Sequence, residues 1–467
     1  MFKKMNLVGC TYGGVSRMKV AKFGGSSLAD ANQFRKVGEI IKADPKRKFI
    51  VVSAPGKRHD KDFKITDLLI QLGNAYINNE KYKSYYITIM DRFSKIIKEL
   101  NLSDDLIFQI EEKIKKFMDS DLNRADKLNS FKAIGEDSSA KILSSYLRSL
   151  GLDAKYVNPK DAGIIVKNDL NGAQMIPEKI ADIYTLREKE GILVIPGFYG
   201  YTEDDVLTTF SRGGSDITGA IIAAGVKAEL YENFTDVDSV YSVNPSIVEN
   251  PKEIKVLTYR EMRELSYAGF SVFHDEALIP AVQAKIPVCI KNTNNPSAPG
   301  TMIVAEREPD ERCVVGIASD TGFTSIYVSK FLMNREIGFG RKLFQIFEEE
   351  NVSFEHAPSG IDDMSVIVRD SQLTEEKEKI IVDRIKNELK ADTVSVHRDL
   401  ALIMVVGEGM KETIGMAQTA TTALGEAKVN IEMINQGSSE VSMMFGIKSD
   451  GLHRAIRSMY KAFFENE

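Results

Sequence analysis

Two runs, Phe49-Ile50-Val51-Val52 and Ile192-Leu193-Val194-Ile195, contain no polar residue. Each leads into a loop with glycine, Ser53-Ala54-Pro55-Gly56 and Pro196-Gly197. A strand with one wet face alternates polar and apolar residues. A continuous apolar strand is covered on both faces, as in parallel sheets. From Met18 to about Ile303 such strands alternate with helical patterns. That order predicts an α/β fold, a three-layer αβα sandwich with a mostly parallel central sheet. Ligands bind such sheets at the carboxyl ends of the strands, where the glycine loops fall.

One such end is Lys22-Phe23-Gly24-Gly25-Ser26-Ser27, between the short strand pattern Met18–Ala21 and a helical pattern from Asp30. Glycines let a backbone approach an oxyanion closely, and a helix start offers free N–H groups. Lys22 adds a positive charge. The segment reads as a phosphate cradle or as a plain tight turn. A second constellation, Ser211-Arg212-Gly213-Gly214-Ser215-Asp216, opens a helix over Asp216–Ala224. Arg212 offers a planar fork for a carboxylate or phosphate. Ser215 and Asp216 also suit a helix start for capping alone. Gly135-Glu136-Asp137 reads as a site or as an acidic start to a helix over Ser138–Leu147. The loop Phe234-Thr235-Asp236-Val237-Asp238, followed by Tyr241, reads as a ribose, metal or base contact, or as an Asx-turn.

Lys+Arg number 61 and Asp+Glu 67, a formal charge of −6. That balance argues against a nucleic-acid partner. The basic clusters Lys46–Lys48 and Lys113–Lys116 read as solvated faces. Cys10, Cys289 and Cys313 form no CxxC pair, and Cys289 reads as a buried structural thiol. No apolar run approaches the roughly 20 residues of a membrane helix. Reduced thiols and the lack of a signal-peptide pattern predict a cytoplasmic protein with no membrane partner. Residues 1–17 read as a loose extension. Between 72 and 132 the chain predicts a helical excursion, with Ile87, Met90, Phe93, Ile96 and Ile97 as its apolar stripe.

Residues 306–467 have a different character. Two units of strand–helix–strand–strand–helix recur with a period of about 75 residues, which predicts two ferredoxin-like βαββαβ modules. They fall at about 320–390 and 394–467. The catalytic region is then 18–305.

These motifs resemble the aspartokinases of the amino-acid kinase family. The matching segments are Lys22–Ser27, Arg212–Asp216, Thr235-Asp236-Val237 with Tyr241, Ser266-Tyr267-Ala268-Gly269, Asn292-Thr293 and Pro299-Gly300-Thr301. The terminal modules look like that family's paired ACT domains, and a strand near 313–318 is expected to complete the second. The resemblance implies a monofunctional kinase that moves the γ-phosphoryl of ATP, with Mg²⁺, to the side chain of L-aspartate. It makes Lys22 and Asp216 catalytic. Thr66, Glu136, Arg212, Gly213, Gly214 and Ser215 would bind aspartate. Lys22, Phe23, Gly24, Gly25, Ser26, Thr235, Asp236 and Tyr241 would bind ATP. No protein metal cage is expected, since Mg²⁺ arrives on phosphate oxygens and water. Ser246 and Ser271 stand where many members carry a cation, which leaves other groups such as Lys291 for the nucleotide. A catalytically silent sensor and other kinases of the family are the alternatives. The ACT tail implies feedback by lysine, or by threonine, at a pocket formed by Gly338, Phe339, Ser353, Glu355, His356, Ser359 and Asp363. It also implies a homodimer through these modules, or a tetramer.

Overall fold

The computed structural model describes residues 17–169, 172–211, 213–270, 275–307, 313–437 and 441–465. Arg212 and Ser271 lie outside the described residues, as does the extension up to residue 16. The chain forms two compact units, Met1–Ser239 with Glu276–Ala305, and Val240–Asp275 with Glu306–Glu467.

The first unit is built on one sheet. Its strands run in the order Thr301–Val304, Val288–Asn292, Leu230–Thr235, Lys19–Phe23, Arg47–Val52, Ile192–Pro196 and Ala154–Tyr156. Neighbours are parallel except the pair that joins Val288–Asn292 to Thr301–Val304. Side chains alternate across a strand. On Lys19–Phe23, Ala21 and Phe23 join a core with helices Ala31–Ala43, Ile65–Ile77, Lys83–Glu99, Asp105–Met118 and Arg124–Ser149. Val20 and Lys22 take the opposite parity, and the helix Gly214–Gly225 packs on this strand and on Arg47–Val52 and Leu230–Thr235. The chain leaves Lys19–Phe23 toward Arg47–Val52 on one side and returns much later as Leu230–Thr235 on the other. The topological switch point therefore lies between Lys19–Phe23 and Leu230–Thr235, where open α/β sheets bind ligands.

Three local expectations need correction. Gly135 does not precede a helix: the helix Arg124–Ser149 runs through it, and a Cβ there would lie 2.5 Å from the Ala54 Cβ, which is what the glycine avoids. In the excursion Phe93, Ile96 and Ile97 are buried, but Ile87 is 63% exposed and Ile89 takes the inward position. Lys113 is not a solvated charge. Its Nζ lies 2.8 Å from the buried carboxylate of Asp137, which also meets Lys141 at 3.1 Å. The expectation for Cys289 agrees with its buried position, which pushes the thiol up to about 11.

The second unit carries a six-stranded sheet in the order Phe354–His356, Asp363–Arg369, Gly316–Ser329, Thr393–Val406, Ser442–Lys448, Met433–Asn435. The two central strands are long enough to serve both βαββαβ modules. Residues 323–329 pair with Asp363–Arg369, and 325–329 with 393–397, over a core that includes Leu343, Phe347, Ile381 and Ile385. Residues 316–321 pair with 401–406 over a core that includes Leu424, Phe445, Ile456 and Met459. Residues 394–397, assigned by sequence to the later module, thus pair within the earlier one. Val243 and Ile247 enter the later module's core, and Ile317 N–H donates to Ser242 O at 2.7 Å. By their contacts, residues 240–270 group with the second unit.

Candidate active site

Lys22 projects from its strand toward the helix Gly214–Gly225. It is 6% exposed, and its Nζ lies 2.6 Å from Asp216 Oδ1. Asp216 sits in the first turn of that helix. Asn233, the register partner of Lys22 on the adjacent strand, donates from Nδ2 to the same oxygen at 2.5 Å. Tyr231 completes the frame by donating its hydroxyl to Asp216 O at 3.2 Å. The sequence reading missed Asn233. Its only signal was a polar residue inside the strand Leu230–Thr235, a place where an amide needs a partner.

The helix start is shaped by its turn. Gly213 adopts φ 73°, and a Cβ on Gly214 would lie 2.6 Å from Phe198 Cδ2. Phe198 itself has φ 75°, a strained setting for a bulky residue and one of the kind concentrated at functional sites. Its N–H donates to Thr218 Oγ1 at 3.0 Å, and Ser215 is buried.

The Lys22 strand ends in the 3₁₀ turn Gly25–Leu28. Gly24 N–H donates to Phe234 O at 3.0 Å, so this amide is already used. Gly25 and Ser26 open the turn, where a helix cannot satisfy its own N–H groups. Ser27 Oγ meets Thr293 Oγ1 at 2.7 Å. The Phe23 ring is buried and stacks on Phe234 with centroids 4.8 Å apart, so only its backbone can face a ligand. Thr235 ends the neighbouring strand, and its Oγ1 donates to Asp236 Oδ1 at 3.1 Å. Lys291 lies in register with Phe234. Tyr241 belongs to the second unit and pairs with Glu253 in a short hairpin.

Glu136 is 4% exposed, and its Oε2 has no hydrogen-bond partner. Burial pushes its carboxyl up to about 8, and hydrogen bonds from the Ala54 and Glu136 N–H groups offset only part of that. A lone buried carboxyl of this kind needs a counter-charge or a proton. Thr66 lies in the first turn of Ile65–Ile77, whose Ile65 N–H donates to Pro55 O at 3.0 Å. Both residues are therefore tied to the loop that follows Arg47–Val52.

The proposed regulatory residues all lie in the second unit. Gly338 has φ 79° with open space around it and precedes the helix Phe339–Glu349, but the Phe339 side chain is in a core. Ser353 N–H donates to Gln372 Oε1 at 2.8 Å. Glu355 accepts from Arg369 Nε at 3.1 Å and from the Tyr267 hydroxyl. Glu355 and His356 line a cavity of about 460 Å³ with Arg260 and Arg263. Ser359 and Asp363 line another of about 380 Å³ with Tyr327 and Glu432.

A buried lysine paired with an aspartate at the switch point of a sheet, beside a glycine turn and followed by paired βαββαβ modules, is the architecture of an amino acid kinase with an ACT tail. The sequence model of the Amino acid kinase family matches residues 17–292, and that of the ACT domain matches 403–463. Aspartokinase 3 of Bacillus subtilis is 55% identical over 448 residues, 96% of this chain and 99% of that one. The crystal structure of Clostridium acetobutylicum aspartate kinase superposes with a TM-score of 0.86 at 41% identity, covering 96% of this chain and 100% of that one. Escherichia coli aspartokinase III, solved with aspartate and ADP and with lysine and aspartate, shares the fold at TM-scores of 0.78 and 0.77, with 22% identity and coverage of 96% and 100%. The chain belongs to the aspartokinases.

Proposed function

We infer that this chain transfers the γ-phosphoryl of ATP to the side-chain carboxylate of L-aspartate, giving 4-phospho-L-aspartate. The observation that carries this reading is the Lys22–Asp216 pair at the switch point. The acceptor carboxylate has a pKa near 4 and is ionised at neutral pH, so no general base is required. The barrier is the approach of one anion to another, and catalysis is charge neutralisation and positioning.

Lys22 supplies the charge between acceptor and phosphoryl group. Asp216 and Asn233 hold it there. The Gly25 and Ser26 amides receive phosphate oxygens. Glu136 takes the aspartate ammonium, which is the counter-charge its buried carboxyl lacks. Arg212 takes the α-carboxylate, with Thr66, Gly213, Gly214 and Ser215 fixing orientation. Thr235 and Asp236 serve the nucleotide. No cluster of three or more His, Cys, Asp or Glu able to hold a metal exists among the described residues. Mg²⁺ tolerates that, because it keeps several waters and binds phosphate oxygens. Bound with ATP, it would neutralise part of the triphosphate charge.

Regulation by lysine, with threonine as the second choice, fits the ACT tail and the lysine complex of the E. coli relative. A cytoplasmic homodimer through the ACT modules fits the same reading. The test is formation of aspartyl hydroxamate from ATP and hydroxylamine, run against aspartate, glutamate and acetylglutamate. Turnover of aspartate alone is expected. Turnover of another acid instead would overturn the substrate. Lysine at millimolar concentration is expected to lower the rate and to shift Tm. No response to either amino acid would overturn the regulation.

A further inference from the structure

Arg92 is 4% exposed in the helix Lys83–Glu99, part of the excursion. Its Nη1 donates to two carbonyls, Gly56 O at 3.1 Å and Ala29 O at 3.2 Å. Its Nη2 donates to Asp62 Oδ2 at 2.5 Å and to Phe63 O at 3.4 Å. Ala29 closes the glycine turn after Lys22, and Gly56 lies in the loop after Arg47–Val52.

Those two loops meet backbone to backbone. Gly56 N–H donates to Gly25 O at 2.8 Å. A Cβ on Gly56 would lie 2.6 Å from the Gly25 carbonyl carbon, so no side chain fits there. The Gly56 loop also carries Ala54, whose N–H reaches Glu136, and Pro55, whose oxygen anchors the helix of Thr66. One guanidinium nitrogen thus ties the phosphate turn to the loop on which the two aspartate-side residues depend. A lysine is a point charge on a flexible stem and does not reproduce this planar fork.

We propose that Arg92 is a positioning residue for phosphoryl transfer, holding the 24–29 turn and the 53–56 loop in register from the helical excursion. This rests on the aspartate kinase reading above. It gives the excursion a task beyond packing, and it acts without touching either substrate. The competing role is a buried ion pair with Asp62 that serves stability alone.

The experiment compares full-length Arg92→Lys and Asp62→Asn with the wild type. The readouts are kcat, KM for both substrates, Tm, and amide hydrogen exchange over residues 24–29 and 53–56. Arg92→Lys is expected to fold, to lose about tenfold or more in kcat/KM because small misplacements are costly, and to raise exchange in both loops together. Asp62→Asn keeps both carbonyl bonds and is expected to retain kcat. Wild-type kinetics and exchange in Arg92→Lys would overturn the proposal. So would an equal loss in Asp62→Asn. Should Arg92→Lys not fold, Arg92→Gln, which keeps an amide donor, carries the same comparison. A wild type inactive on aspartate sinks the kinase reading instead, and the exchange data still decide whether Arg92 joins the loops.

Discussion

Lys22 Nζ and Asp216 Oδ1 are 2.6 Å apart, although 194 residues of sequence number separate the two. The parallel register that sets Lys22 beside Asn233, and the helix that starts at Gly214, bring them together. The pair holds a buried lysine near the carboxyl end of its strand.

Lys22→Ala should fold and lose about 10²–10³-fold in kcat, the range for removal of one transition-state charge contact. The hydroxamate assay measures it. A near-normal kcat would remove Lys22 from the chemistry.

Asn233→Leu keeps the volume and deletes the donor to Asp216. With one partner gone, Asp216 no longer fixes the lysine in one place. The expected result is a fall in kcat of about tenfold, with KM for ATP changed less. If kcat stays and only stability drops, Asn233 is a buried amide with no part in positioning.

The glycine motifs were legible because each has one physical purpose, an approach that side chains would block. Gly214 against Phe198 and Gly56 against Gly25 are two such approaches. The sheet was legible because two of its strands, at Phe49–Val52 and Ile192–Ile195, are apolar on both faces. What sequence could not supply was long-range pairing. Asn233 carries no motif of its own, and only the register beside Lys22 gives it a role. Lys113 looked solvated in a run of lysines until a neighbouring helix brought Asp137 to it. Ile87 and Ile89 both fit an apolar pattern, and packing chose between them.

Lys113→Met should cost about 1–3 kcal/mol in urea unfolding. Burial pushes the Asp137 carboxyl up, but Lys113 and Lys141 outweigh it and hold it below its ordinary 3.8. With Lys113 gone, Lys141 and the Tyr156 hydroxyl, 2.5 Å from Oδ1, still serve Asp137. That is why the cost stays below that of a fully orphaned charge. An unchanged midpoint would mean that the pair only balances its own desolvation.

Gly56→Ala places a methyl carbon against backbone that has no rotamer to move, 2.6 Å from the Gly25 carbonyl carbon. A loss of about 1–3 kcal/mol is expected from overpacking. Because the strained atoms belong to the phosphate turn, KM for ATP should rise as well. A stability loss with unchanged nucleotide kinetics would separate the turn from ATP binding.

Glu136 gives a pH dependence with a definite sign. Its carboxyl sits at about 8 in the folded chain, against an ordinary 4.5. Between those values the folded state holds a proton that the unfolded state has released. Stability therefore falls as pH rises from about 4.5 to about 8, and is flat beyond. Glu136→Gln lacks this group, so its stability relative to the wild type should improve across that window. Substrate binding runs the other way. An ammonium needs the ionised carboxylate, so KM for aspartate should fall by about tenfold per pH unit on approach to 8 and then level off. In Glu136→Gln the KM should be higher and lack that slope. Kinetics from pH 6 to 9 on both proteins decide it, and a parallel slope in the variant would assign the titration to a different group.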